Sequence, residues 1–210
     1  MIRTALAPCL AGLLALAAGP VLADAHTGLP SFFLTSAGPG EGGDLGGLPG
    51  ADAHCTALAD VAELPAGSWV AYLSSADENA RDRIGAGPWY NVKGEMIAEG
   101  VEALHGGSNG LSKAATLSEA GDVINGRGDT PNRHDVLTGS NLDGTLMEGQ
   151  TCEDWTSSAD DASARVGHHD LTGGGEHPES FNSAHASQGC SPEALRETGG
   201  DGLFYCFRAD

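Results

Sequence analysis

The sequence is poor in basic and aromatic residues. Lys and Arg together occupy 10 of 210 positions against 29 for Asp and Glu, so the formal net charge is −19. Nucleic acids and anionic membranes attract proteins through clustered basic side chains, and this charge therefore argues against both as partners. Aromatic residues make up only 5% of the chain. We expect the hydrophobic core to use most of them, the tryptophans included.

Long apolar runs are also scarce. One run near the amino terminus, Ala5–Ala18, consists almost wholly of Ala, Leu and Gly, and it follows Arg3. A positive start, a short apolar stretch and small residues after it are typical of a secretory signal peptide, which we assign to residues 1–25. Cleavage after Ala23 or after Ala25 fits the small-residue rule. The sequence therefore predicts a secreted or periplasmic protein without a membrane span.

Cysteine pairs of the C-x-x-C type are missing, which argues against a zinc–thiolate site. Removal of Cys9 with the signal peptide leaves four cysteines: Cys55, Cys152, Cys190 and Cys206. In an oxidising compartment an even number of cysteines predicts two disulfide bonds. The residues by themselves leave the three possible pairings open.

Short apolar segments alternate with glycine-rich loops along the chain. Apolar residues at helical spacing predict a helix over Ala51–Leu64, and a weaker pattern predicts helical structure over Met96–Leu104. Strands are predicted over Leu29–Leu34, Ser68–Ser74, Trp89–Val92, Thr151–Ser157 and Gly202–Arg208. This mixture indicates one α+β domain. Residues 26–50 would form its N-terminal strand and glycine-rich loop, and residues 51–210 its core.

Several of these segments occur in the order found in a known family. They are Gly50-Ala-Asp-Ala-His-Cys55, Trp69-Val-Ala-Tyr-Leu-Ser-Ser75, Tyr90-Asn-Val-Lys-Gly94, Glu102-Ala-Leu104, Gly139-Ser-Asn-Leu-Asp-Gly144, Cys152-Glu-Asp-Trp155, Cys190 and Leu203-Phe-Tyr-Cys206. The ordered set resembles the endostatin domain of collagens XV and XVIII, and the resemblance covers about Ser31 to Phe207. The chain also resembles bacterial exported proteins of this type.

The resemblance implies the C-type lectin-like fold. That fold has a small mixed sheet, flanking helices and a long loop region between the middle cysteines. The resemblance also implies two nested disulfides, Cys55–Cys206 and Cys152–Cys190. Endostatin binds heparin through surface arginines, and a chain with so few basic residues is not expected to do so.

Calcium-dependent sugar binding does not follow from the resemblance. Sugar-binding C-type lectins use a Glu-Pro-Asn triplet or a similar one, followed by Trp-Asn-Asp. Here only Glu176, Pro178 and Asn182 correspond to residues of these motifs, and their spacing differs from that of the motifs.

Half of the eight histidines fall within 18 residues near the end of the loop region. This histidine cluster comprises His168, His169, His177 and His185, beside Asp170 and Glu176. Imidazole together with carboxylate suits zinc, copper or nickel. The spacing matches no compact motif such as H-E-x-x-H. These six residues are candidate metal ligands; the alternative is a polar loop whose histidines bind the loop itself or face water.

Acidic, glycine-punctuated loops provide further candidates. The segments 122–129 and 141–144 present oxygen atoms between glycines, as calcium sites do, although neither fits the EF-hand template. Asp129, Asn132, Asn141, Asp143 and Asn182 are candidate ligand-binding residues. The alternative for these loops is ordinary Asx turns.

The amino terminus after cleavage is a third candidate. Cleavage after Ala23 would give Asp24-Ala25-His26, a chelating set for Cu(II) or Ni(II). The alternative is a frayed chain end.

Two functional hypotheses follow. The sequence contains no G-x-S-x-G elbow or paired-acid motif, so catalysis is not the first expectation. The first hypothesis is an exported binding module that recognises a glycan or a surface protein through its loops, with calcium or zinc as an optional bound cation. The second is a metalloprotein or metal-dependent enzyme centred on the histidines at 168–185.

Overall fold

The computed structural model describes residues 1, 2 and 28–210. Apart from Met1 and Ile2, the predicted signal peptide lies outside the described residues, and so does His26. Among the described residues, no helix combines the length and the apolar character needed to cross a membrane.

Short elements and long loops make up the described chain. In order, the elements are β1 (Phe32–Leu34), α1 (Gly47–Val61), β2 (Trp69–Ala71), α2 (Ala80–Arg83), β3 (Trp89–Tyr90), β4 (Met96–Ala98), α3 (Val101–His105), β5 (Asp135–Leu137), α4 (Cys152–Trp155), β6 (Arg165–His168), β7 (His185–Ala186), α5 (Pro192–Thr198) and β8 (Gly200–Arg208). The predicted α+β class is confirmed.

The terminal strand β8 lies at the centre of a six-stranded mixed sheet. β1 and β2 pair antiparallel with opposite sides of its C-terminal half, where Phe207 is opposite both Phe32 and Val70. β5 pairs parallel with its N-terminal half, and β6 and β7 extend the sheet beyond β5. β3 and β4 form a separate two-stranded sheet. The sheet is therefore mixed, as predicted.

Both faces of the central sheet are buried. Successive side chains of a strand point to opposite faces, so Phe204 and Cys206 enter one apolar cluster with α1, whereas Tyr205 and Phe207 enter another. Ten of the 11 aromatic residues are buried, and Tyr90 is partly buried. The core uses the scarce aromatic side chains, as predicted, and no tryptophan remains on the surface to stack on a sugar.

Two nested disulfides connect distant parts of the chain. Cys55–Cys206 joins α1 to β8, and Cys152–Cys190 joins α4 to the loop before α5. This is the pairing that the family resemblance implied. The outer bond spans 151 positions, and closing a loop of that size destabilises the unfolded chain by about 4–5 kcal/mol in the loop-entropy model.

The predicted strand over Thr151–Ser157 is wrong. The four residues of α4 have left-handed backbone angles, with φ between +48° and +67°, and form one left-handed turn. A non-glycine residue in this conformation costs about 1–2 kcal/mol. The turn is held by the Cys152 disulfide and by Trp155, whose Nε1–H donates to Ser74 O at 2.8 Å. Tertiary contacts therefore override the strand preference of the local sequence.

Two predicted helix boundaries also differ. Helix α1 begins at Gly47, inside the segment predicted to remain a loop through Gly50. The predicted helix over Met96–Leu104 is a strand, β4, followed by the short helix α3. Gly100 separates them, and its extended backbone interrupts a helix at this point.

The left-handed turn makes a specific prediction about stability. Glu153 is exposed and has a φ of +53°, so Glu153→Gly should raise the free energy of unfolding by about 0.5–1 kcal/mol, since relief of strain exceeds the added chain entropy. Glu153→Ala, which keeps the β-carbon, is the matched control and should give no such gain. Urea denaturation of the three proteins measures the difference. Equal stabilities of the glycine and alanine variants would contradict the left-handed assignment.

Candidate metal centre

Three adjacent strands bring histidines together with one aspartate. Asp135 opens β5 and lies opposite His168, the last residue of β6. Side chains at opposed positions of neighbouring strands contact each other. β7 pairs with β6 and adds His185, and His134 directly precedes β5. The strand register therefore assembles a site from three separate parts of the sequence.

Three imidazoles approach a single carboxylate oxygen. Asp135 Oδ1 lies 3.1 Å from His134 Nε2, 3.4 Å from His168 Nε2 and 3.5 Å from His185 Nε2. The Nε2 atoms of His168 and His185 are 3.0 Å apart. We call these four residues the His–Asp centre. Their side chains are buried except that of His185, which is 22% exposed and provides contact with solvent.

Acceptors on the far side of the rings indicate how the imidazoles are oriented. His168 Nδ1 lies 2.8 Å from Pro178 O, and His185 Nδ1 lies 3.1 Å from Ala186 O. A carbonyl oxygen only accepts hydrogen bonds, so Nδ1 of each ring carries the proton that is donated. The Nε2 lone pairs of the neutral rings then face each other and Asp135. Two lone pairs at this distance repel unless a proton or a metal ion lies between them.

The Asp135 carboxylate is buried, and neither of its oxygen atoms accepts a well-formed hydrogen bond. Burial by itself raises the pKa of Asp135, but the rings of His168 and His185 outweigh this effect and hold the pKa below its ordinary value. The contact with Asp135 raises the pKa of His185. The carboxylate is therefore ionised, and an ionised buried group requires a nearby cation. An imidazolium proton or a metal ion would satisfy it.

Three groups of the centre lie close enough together to hold a metal ion. His134, Asp135 and His168 each offer one ligand atom, and these atoms lie within 4.8 Å of one another, so the group could hold a metal. In a tetrahedral zinc site with bonds of about 2.0–2.1 Å, ligand atoms are roughly 3.3 Å apart. The three atoms of Asp135, His168 and His185 are separated by 3.0, 3.4 and 3.5 Å.

A run of glycines lets the backbone lie directly against the rings. A β-carbon on Gly173 would lie 2.7 Å from His168 Cε1 and 3.1 Å from His134 Cε1. A β-carbon on Gly175 would lie 2.8 Å from His185 Cδ2. Residues with side chains would push the rings away. The loop after β6 therefore covers the His–Asp centre only because it consists of glycines at these points.

The structure separates the six predicted metal ligands. His168 and His185 meet at the centre. His169 does not join them, because its Nε2 lies 3.1 Å from Asn125 O, and burial lowers its pKa. Asp170 is buried behind the centre, with Oδ1 3.5 Å from His134 Nδ1.

The other two predicted metal ligands lie on the surface side of the glycine-rich loop. Glu176 pairs with Arg165 at 2.7 Å, and its side chain is 68% exposed. The hydrogen bond from Arg165 lowers the pKa of Glu176. His177 is exposed. Neither residue makes a described contact with the His–Asp centre.

The predicted ligand-binding residues make contacts within the protein. Asp129 pairs with Lys113, whose ammonium group neutralises the carboxylate expected to bind calcium. Asp143 Oδ1 accepts hydrogen bonds from the backbone N–H and the hydroxyl of Thr145, and these bonds lower the pKa of Asp143. The acidic loops thus contain the Asx-type turns considered as the alternative to calcium binding.

The three predicted asparagines are also bound internally. Asn132 Oδ1 accepts from the backbone N–H of His134 at 3.3 Å. Asn141 Nδ2 donates to Leu146 O at 2.8 Å. Asn182 is buried, and its Nδ2 donates to Tyr72 Oη and to Asn141 O. These side chains therefore form hydrogen bonds within the protein, and only the contact of Asn132 involves a residue of the His–Asp centre.

His134 and Asp135 are not among the ligands predicted from the sequence. They lie more than 30 positions before His168, outside the dense histidine cluster. The available signal was a His-Asp pair followed directly by Val136-Leu137, which places a potential ligand pair at the start of a buried segment. Only the pairing of β5 with β6 shows which histidines they join.

Comparison with known proteins does not assign the chain to a family. No protein-family model matches the chain, and no curated protein sequence matches it. The endostatin-like assignment therefore stays a prediction.

The contact between the glycine run and the rings is testable. Gly173→Ala should lower the free energy of unfolding by about 1–3 kcal/mol, because a β-carbon would overlap His168 and Gly173 has a φ of +140°. Gly174→Ala is the matched control, since a β-carbon there meets nothing within 4 Å, and its stability should change by less than about 0.5 kcal/mol. Chemical denaturation gives both values. A tolerated Gly173→Ala substitution would mean that the loop does not lie against the rings.

Proposed function

We propose that this chain is an exported metal-binding protein that holds one divalent transition-metal ion in the His–Asp centre. One observation carries the proposal: the Nε2 atoms of His134, His168 and His185 surround a buried Asp135 oxygen that has no regular hydrogen-bond donor. Export rests on the predicted signal peptide, and the two disulfides suit an oxidising compartment.

The ligand atoms favour zinc, copper(II) or nickel over calcium. Imidazole nitrogen suits these borderline metals, whereas calcium and magnesium prefer sites made of oxygen atoms. Of the two cations considered from the sequence, zinc fits the three histidines and the single carboxylate. A tetrahedral ion would take one atom each from His134, Asp135 and His168, and His185 is the nearest further imidazole.

Burial favours metal retention over catalysis. Catalytic zinc sites keep one coordination position open to water or substrate, whereas structural sites are closed by protein ligands. Here the site offers three imidazoles and one carboxylate as ligands, and of these side chains His185 alone is appreciably exposed. A bound ion would connect β5, β6 and β7 and would stabilise the loops between them.

Metal titration of protein without a histidine tag tests the proposal. We expect the full secreted chain to bind about one zinc ion, and His168→Ala to weaken binding by more than about 100-fold, since the loss of a ligand exceeds the effect of outer residues. With zinc at 100 times its dissociation constant, the free energy of unfolding should rise by about 2.7 kcal/mol. Calorimetry and denaturation measure these effects.

Two matched variants distinguish this centre from other histidines. His177→Ala removes an exposed predicted ligand, and His26→Ala removes the chelating residue predicted near the mature amino terminus. Both variants should bind zinc as the wild type does. Loss of zinc binding in either variant, with binding retained in His168→Ala, would contradict the proposed centre.

A second candidate function is recognition of a glycan or surface protein, the first hypothesis from the sequence. The observation that favours it is a cleft of about 380 Å³ lined by Leu104, His105, Leu142 and the loop 176–182. Leu142 and the loop 176–182 belong to the loops between Asp122 and Gly189 that are expected to contact a ligand, whereas Leu104 and His105 come from α3. Leu142 is 46% exposed.

Screening on an oligosaccharide array tests this second candidate. We expect Leu142→Asp to abolish any binding seen with the wild type, because it places a charge on an apolar wall of the cleft. Val61→Asp changes an exposed apolar residue of helix α1 instead, so it should leave binding unchanged. Absence of binding by the wild type would contradict the glycan version of this function.

A further inference from the structure

Asp170 is a buried carboxylate that does not reach the His–Asp centre directly. It lies two positions after His168, in the turn that follows β6, and its side chain is 4% exposed. Its Oδ1 is 3.5 Å from His134 Nδ1, on the side of the ring opposite the centre. Among the described residues, Nδ1 of His134 has no hydrogen-bond partner of good geometry, and the Asp170 carboxylate lies within ion-pair distance of it. Burying a carboxylate is unfavourable unless it has polar partners, so its contacts indicate its role.

The backbone holds Asp170 in this position. The Arg127 N–H donates to Oδ2 at 2.6 Å, and the Thr172 N–H lies 3.3 Å from Oδ1. Gly126 leaves room for the carboxylate, since a β-carbon there would lie 2.5 Å from Oδ2. The segment predicted to bind calcium, 122–129, thus binds this carboxylate through its backbone. Its Oδ1, which also accepts from Thr172, is the oxygen that lies 3.5 Å from His134 Nδ1.

The three rings of the centre differ in their outer acceptors. His168 and His185 face the backbone carbonyls of Pro178 and Ala186. His134 faces a carboxylate instead, which is a stronger acceptor than a carbonyl. Histidine ligands of metal sites commonly donate their outer N–H to such a group, which fixes the tautomer and increases the basicity of the ligating nitrogen.

We propose that Asp170 is a positioning residue of the metal centre, holding His134 with Nδ1 protonated so that its Nε2 lone pair faces the ion. This inference rests on the proposed function. Without Asp170, His134 would be free to rotate or to change tautomer, and the centre would lose its fixed fourth ligand.

The test compares zinc affinities of full-length chains in a double-mutant cycle. Asp170→Asn should weaken zinc binding about 10–100-fold. In a His134→Ala background the same substitution should have no further effect, because Asp170 acts through that ring. Asp161→Asn, at an exposed aspartate before β6, is the matched control and should bind zinc as the wild type does. An equal loss in both backgrounds, or unchanged affinity of Asp170→Asn, would overturn the proposal.

A second measurement needs no variant that might misfold. Nitrogen NMR of the imidazoles in the zinc-loaded wild type should show a protonated Nδ1 and a metal-bound Nε2 for His134. Metal bound through Nδ1 would overturn the role of Asp170 while leaving the metal-binding function intact. If the wild type binds no zinc, the proposed function fails first, and the inference about Asp170 fails with it.

Discussion

The pairing of β8 on both of its sides is the constraint on which the rest of the domain depends. β1 and β2 flank its C-terminal half, and β5 flanks its N-terminal half. Because the strand is central, its alternating side chains must be apolar on both faces, and the few aromatic residues are concentrated there and on its neighbours. The disulfide from Cys206 to Cys55 attaches helix α1 to the same strand.

The candidate centre is a consequence of this sheet. β5 lies beside β8, and its antiparallel partner β6 places His168 opposite Asp135. A one-residue slip of β6 would send His168 to the other face of the sheet, away from the buried Asp135 carboxylate. Separating His168 from the buried carboxylate would cost free energy. The contact between Asp135 and His168 therefore favours the observed register of β5 and β6. Glycines at 173 and 175 then allow the loop to cover the rings.

The acidic composition has a structural counterpart. Six of the 10 basic residues form ion pairs within the described chain: Arg81, Arg83, Lys113, Arg133, Arg165 and Arg196. Arg83 shows the pattern, since its nearly buried guanidinium contacts Asp52 of α1 and Glu78. These residues serve to join segments of the fold.

Residue pattern alone determined the fold class, the position of α1, the terminal strand and the burial of the aromatic side chains, because burial follows hydrophobic periodicity within each segment. The family resemblance supplied the disulfide pairing. Only the tertiary structure decided that α4 is left-handed, since a disulfide and the buried Trp155 offset its backbone strain. It also decided that His134 and Asp135 join His168 and His185, whereas His177 faces solvent. Ligand convergence depends on strand register between segments far apart in sequence, and local residue spacing carries no information about that register.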